Sequence, residues 1–262
     1  MGKLIVVVAA AALAVSSPAA FLRSHQAADG GFAEPNGRSS PQLTAWAALG
    51  LRAARADTGE ALAYLVAHED ELRTPTDLAL IALAEAALGR DPRALLERLP
   101  ARPATVNAAV WHVLALRQAR RAVPQALVQR LRAAQARNGG FGWAKGVAPD
   151  SNDTAAAVMA LRAAGVTGTP IRRALDFLRR LQNRDGGFEL THGRGSDAQS
   201  TAWAVQAFVA GGRAPPPKAL AYLRTLRRAD GSYRYSRAYA VTPVWVTAQV
   251  LPATLRKPFP LR

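Results

Sequence analysis

Two short stretches of this 262-residue chain carry residue types that acid–base or binding chemistry needs. The first is Asp150, Ser151, Asn152, Asp153, Thr154; the second is Asp197, Ala198, Gln199, Ser200, Thr201. Each presents an acid, then an amide two residues on, then a hydroxyl residue at the head of an apolar run. Carboxylates are candidate proton donors and acceptors, and amides can hold a polar group of a ligand. The same pattern also describes a helix start, with short side chains accepting from open backbone N–H groups. The four histidines, His25, His68, His112 and His192, are scattered and there is no Cys, so no metal site and no thiolate is expected. No serine-nucleophile signature accompanies them.

Aromatic residues form the second candidate set. Trp46, Trp203 and Trp245 stand at what read as matching places in apolar runs, with Trp111 in a more degenerate one. They suit either core packing or a ligand-facing lining. Trp143, in the polar stretch "GFGWAKG", is a candidate rim contact.

These residues are positioned by a repeat. "FLRSHQAADGGF" (21–32), "LRAAQARNGGF" (131–141), "FLRRLQNRDGGF" (177–188) and "YLRTLRRADGSY" (222–233) are variants of one phrase, each followed by a polar loop and an apolar run. The matching Gln26, Gln135, Gln182 and Arg227 are 109, 47 and 45 residues apart. The wide first gap holds two degenerate units, 60–89 and 92–119, that keep both segments and lose the Gly-Gly-Phe turn. Six units result, and the repetition governs the fold.

The two segments of a unit differ. In "PIRRALDFLRRLQ" Ile171, Ala174, Leu175, Leu178 and Leu181 share one helical stripe, opposite Arg172, Arg173, Arg179 and Arg180, as in a surface helix. "TAWAVQAFVA" is apolar all round except at Gln206, as in a helix buried on every side. Six hairpins of this kind shield every inner helix by closing into a double ring; an open right-handed solenoid would need polar cap units, and none is evident. The predicted fold is all-α: an α/α toroid of six inner and six outer helices, one domain over 21–262. Gly186 and Gly187 are expected to stop the outer helix. Phe188 is expected to tuck between outer helices, and the Gln182 amide to satisfy open backbone groups.

The phrase "RALDFLRRLQNRDGGF" (173–188) resembles the QW motif of the terpenoid cyclase and protein prenyltransferase toroid superfamily, the squalene cyclase and prenyltransferase repeat proteins, with Phe188 where Trp is usual. "KALAYLRTLRRADGSY" (218–233) is similar, with Arg227 at the Gln position. The resemblance implies the toroid and offers several activities. Class II cyclases use the central carboxylate of Asp-x-Asp-Asp as a proton donor, and here Asn152 stands at that place. Protein prenyltransferases hold zinc with Asp, Cys and His, and thioester relatives need Cys, which this chain lacks. Corrinoid carriers share the fold and add a β-rich domain.

Residues 1–20 read as a secretory signal peptide: Lys3, an apolar run from Leu4 to Val15, and "SSPAA", with a cut after Ala19 or Ala20. The run is too short to span a bilayer, no Cys follows for a lipid anchor, and "LPATLRKPFPLR" has no sorting tail. Lys and Arg number 34 against 18 Asp and Glu, a net charge of +16 dominated by Arg. That charge favours anionic surfaces without a nucleic-acid motif to exploit it.

The preferred reading is a secreted single toroid without cyclase or transferase chemistry and without cofactor or metal. It would bind a large, partly apolar ligand of isoprenoid or corrinoid class, or a partner protein, at the ring mouth. The binding set is Asp150, Asn152, Asp153, Asp197, Gln199, Trp143, Trp203 and Trp245. The alternatives are a class II-like terpenoid cyclase using Asp150 or Asp153 as acid, and a structural module held on an anionic envelope surface through its outer ring.

Overall fold

The computed structural model describes residues 16–261, so most of the predicted signal peptide lies outside the described residues. The inner helices are α2 (Pro41–Ala53), α4 (Pro75–Ala87), α6 (Val106–Gln118), α8 (Ser151–Ala163), α10 (Ala198–Ala210) and α12 (Pro243–Thr254). The outer helices are α1 (Pro18–Arg23), α3 (Ala61–Ala67), α5 (Arg93–Glu97), α7 (Gln125–Ala134), α9 (Thr169–Arg180) and α11 (Pro217–Leu226). Each inner helix packs on the next, and α12 packs on α2, so the ring is closed. Every outer helix bridges two inner ones, α1 lying against both α2 and α12. The structure is the α/α toroid that the repeat predicts.

Burial follows the two kinds of segment. In α9 the stripe Ile171, Ala174, Leu175, Leu178 is buried while Arg172, Arg173, Arg179 and Arg180 are exposed. In α10 every residue from Ser200 to Phe208 is buried. Gln206 is fully enclosed, with no hydrogen-bond partner for its amide among the described residues.

Units are clasped by side chains that reach across. Gln26 Nε2 donates to Gly30 O at 2.9 Å and to Thr58 O of the next unit at 3.1 Å. Gln135 does the same with Gly139 O and Pro170 O, at 2.9 and 2.8 Å. The last unit meets the first, and there Arg227 substitutes its longer side chain, donating to Ser16 O at 2.9 Å. Two expectations need correction. Helix α9 ends at Arg180, six residues before Gly186, so Gly186 is no helix cap. Its φ of +91° shapes a tight turn, and a Cβ there would sit 2.6 Å from the Lys218 carbonyl oxygen, because α11 starts against it. Gly231 has the same role against Ser17 O, again at 2.6 Å, which seals the ring through α1. Phe188, in turn, points inward onto Phe208 of α10, ring centroids 6.2 Å apart, rather than between outer helices. Its N–H donates to Thr201 Oγ1 at 2.9 Å, which fixes that direction.

A second set of clasps closes the end where the inner helices begin. Helix starts leave N–H groups without internal partners, and each long loop serves the helix before it. Trp143 O accepts from Asn107 N in α6, Leu190 O from Ser151 N in α8, and Tyr235 O from Ala198 N in α10, at 2.7–3.0 Å. Thr242 (φ 42°) makes no side-chain cap for α12. The Glu34 carboxylate of the first loop instead accepts from Val244 N at 3.0 Å and Trp245 N at 2.8 Å.

Candidate functional site

The predicted acids gather at this N-terminal mouth and act first as caps. Asp150 Oδ1 accepts from Asp153 N at 2.8 Å; Asp197 Oδ1 accepts from Ser200 N at 2.7 Å and its Oδ2 from the Ser200 hydroxyl at 2.8 Å. Asp153 lies beside Asp150 and accepts from Asn107 Nδ2 at 2.9 Å; Asn107 Oδ1 accepts in turn from the Thr76 hydroxyl at 3.3 Å. A polar chain thus runs over α4, α6 and α8. Burial, reinforced by the Asp153 carboxylate, pushes Asp150 up to about 7. Burial also raises Asp153 and Asp197, with their hydrogen bonds opposing it. Asp150 is therefore a group that can hold or donate a proton near neutral pH. Asn152 is half-buried and accepts only from the Ser151 hydroxyl, at 3.3 Å, and Gln199 is half-buried with its amide unbonded among the described residues.

The tryptophans divide differently from the sequence reading. Trp46, Trp111 and Trp203 occupy the middle of α2, α6 and α10, alternate members of the inner ring. They meet pairwise edge to face, centroids 5.5, 5.8 and 5.8 Å apart, and are 4–8% exposed. Phe259, from the segment after α12, closes on Trp46 and Trp203 at 6.1 and 6.3 Å. The ring's centre is thus packed with aromatic side chains, each edge-to-face pair adding about 0.5–1.5 kcal/mol beyond its burial. Trp203 belongs to this core, its Nε1–H donating to Gln249 Oε1 at 2.8 Å.

Trp245 is not its counterpart. Thr44, Thr154, Thr201 and Thr247 each accept from an aromatic N–H of their own unit, at 2.8–2.9 Å. In that register the residue matching Trp203 is Gln249, two after Thr247, while Trp245 sits half-buried on the first turn of α12 at the mouth. The recurring Thr-Ala pairs were the available signal: Val246-Thr247-Ala248, not Val241-Thr242-Pro243, is the matching phrase. Trp143 is 55% exposed on the loop before α8.

Asp197 opens onto residues that the sequence did not single out. A cavity of about 350 Å³ lies between the loops preceding α10 and α12, with Tyr222, Tyr235, Tyr239, Arg194 and Arg237 among its lining. Tyr222 donates its hydroxyl to Ser196 O at 2.8 Å, and the Arg237 guanidinium lies 5.8 Å from the Tyr222 ring centroid. Arg194 and Arg237 make no ion pair among the described residues. Asp150, which caps α8, and Asn152 in its first turn do not line this cavity.

A closed double ring of helical hairpins with clasped turns is also what comparison finds: the prenyltransferase alpha-alpha toroid domain matches residues 88–237. The chain belongs to that family. A type II terpene cyclase, MstE from Scytonema, superposes with a TM-score of 0.67 at 16% identity, over 91% of this chain and 95% of that one. A protein from Actinoplanes gives 0.62 at 18% identity, over 91% and 97%. The ent-copalyl diphosphate synthase from Streptomyces platensis gives 0.55 at 19%, over 82% of this chain and 50% of that one. At such identities the shared property is the fold. Sequence comparison with curated proteins finds no match. The zinc of protein prenyltransferases does not fit this toroid, which has no Cys and, among the described residues, no cluster of three His, Asp or Glu.

Proposed function

We propose that this toroid is an exported binding protein that takes an amphiphilic isoprenoid at its N-terminal mouth and does not cyclise it. The observation that carries the reading is the packed centre. Trp46, Trp111 and Trp203 meet pairwise and Phe259 closes on two of them, so aromatic rings fill the ring's centre. The open chemistry lies at the mouth, where Tyr235 and Tyr239 offer apolar faces and Arg194 and Arg237 offer charge for an anionic head. Asn152 and Gln199 add amides that the fold leaves largely free. Structures of MstE hold geranylgeranyl dihydroxybenzoate and merosterolic acid A, which favours an isoprenoid over a corrinoid as the class.

Native mass spectrometry of protein from its own exported fraction tests the reading, since a retained isoprenoid appears as added mass. Arg194→Gln with Tyr239→Ala should lose that mass. An unliganded spectrum, with no binding of geranylgeranyl diphosphate added to the purified protein, would refute it.

One observation favours the cyclase alternative: Asp150, pushed up to about 7, keeps a proton available near neutrality. Cyclised product from geranylgeranyl diphosphate or squalene, abolished by Asp150→Asn, would establish that activity. Product absent from both the wild type and Asn152→Asp would end it.

A further inference from the structure

We infer that the toroid rests with its N-terminal mouth against an anionic phospholipid surface. This goes beyond ligand binding at the mouth and stands without it. The large apolar side chains most exposed on the described surface include Trp143 (55%), Val147 (49%), Tyr239 (63%) and Val241 (53%). All four lie on loops that lead from an outer helix into an inner one, and so on the same end of the ring.

Each of the four long loops of this kind also carries an exposed cation with no ion pair among the described residues: Arg38, Lys145, Arg194 and Arg237. Four acids of the same loops are turned into the fold, while Asp29, Asp185 and Asp230 stay exposed beside the Gly turns. Glu34 caps α12, Glu189 Oε2 accepts from Gly193 N and Gly195 N at 3.0 and 3.1 Å, and Asp150 and Asp197 cap α8 and α10. The two loops that carry the exposed apolar side chains are those whose exposed charge is positive: Arg137 and Lys145 on one, and Arg227, Arg228 and Arg237 against Asp230 on the other.

The exposed apolar groups lie two to a loop, Trp143 with Val147 and Tyr239 with Val241. Trp and Tyr beside Arg and Lys match the headgroup layer of a bilayer, which accepts a ring and a charge together. Among the described residues no helix is long and apolar enough to cross a membrane, so the contact is interfacial. Arg194 and Arg237 line the mouth cavity beside Asp185 and the capping Asp197, and the exposed guanidinium groups are what a lipid phosphate would meet there.

The test uses the full chain with vesicles of phosphatidylcholine alone, or of phosphatidylcholine with phosphatidylglycerol, followed by sedimentation and by tryptophan emission. The apolar run from Leu4 to Val15 is common to all variants, so differences between them report the folded surface. The expected result is a preference for the anionic vesicles that falls as salt rises, with a blue shift that Trp143→Phe removes. Arg194→Gln with Arg237→Gln should weaken partitioning about fivefold per cation. Arg132→Gln with Arg224→Gln, on the outer faces of α7 and α11, should leave it unchanged. Every substituted side chain is exposed, so unchanged circular dichroism confirms folding. Equal losses in the two double variants, equal binding to both vesicle types, or bound protein without the blue shift would each overturn the inference.

Discussion

Asp150 shows how one side chain can serve fold and chemistry together. As a cap it needs only an oxygen facing the Asp153 N–H, and that acceptor survives protonation. Its folded pKa, about 7, lies above its unfolded value of about 4. The native state therefore binds the extra proton, and the stability this brings is fully present below about pH 4 and lost as pH rises through about 7. Urea melts at pH 5 and pH 8 should show the wild type losing on the order of 1–3 kcal/mol across that window. Asp150→Asn should lose less. A residual slope is expected from Glu85 of α4, pushed up to about 7 by burial and by Glu69, and held by Arg90. Identical slopes in the two proteins would remove Asp150 from the account. The capping roles of Asp150 and Asp197 were legible in the sequence because a cap is local: a short acceptor directly ahead of an apolar run. Asn107 and Glu34 were not, since their partners lie 46 and 210 residues away and no short pattern announces them.

At the scale of elements, the repeat phrase is a clasp whose parts were unequally readable. The Gln side chains do reach backbone carbonyls, as an amide beside open helix ends should. What the phrase conceals is the threonine a dozen or so residues on. Thr201 Oγ1 accepts the Phe188 N–H and its own hydroxyl donates to Asp197 O at 2.6 Å, tying turn, cap and inner helix together. Thr201→Val keeps shape and removes both bonds. With Phe188 N buried and unpaired, a loss of about 1–3 kcal/mol is expected in denaturant melts. A change within a few tenths would mean that the turn is held by packing alone. The same missed threonines explain why Trp245 was matched to the wrong place. Helix α12 enters through Thr242 in a left-handed conformation, with Pro243 next, which shifts its register against the other inner helices.

For the whole molecule, ring closure was legible because inner helices without a polar face leave no other arrangement, but where the ring begins was not. Ser17 caps α1, accepting from Ala20 N at 3.0 Å; Ser16 N donates to Ala229 O at 3.2 Å; and Arg227 reaches Ser16 O. These residues join the last unit to the first. A signal peptide cut after Ala19 or Ala20 would remove the cap, the first turn of α1 and every one of those bonds. Ala12-Leu13-Ala14 supplies small residues in the spacing that signal peptidases take, two residues upstream of Ser16. We propose that any export cut falls ahead of Ser16, since these bonds need it, and sequencing the N-terminus of the mature protein tests this. The energetic half of the argument has its own measurement. A chain starting at Val15 should melt well above one starting at Phe21, because the shorter chain lacks the cap, worth about 1 kcal/mol, and leaves α12 with its α1 flank partly uncovered. Equal melting temperatures would mean that the ring closes through its inner helices alone, with Ser16 and Ser17 as passengers on a seam already sealed by α2 and α12.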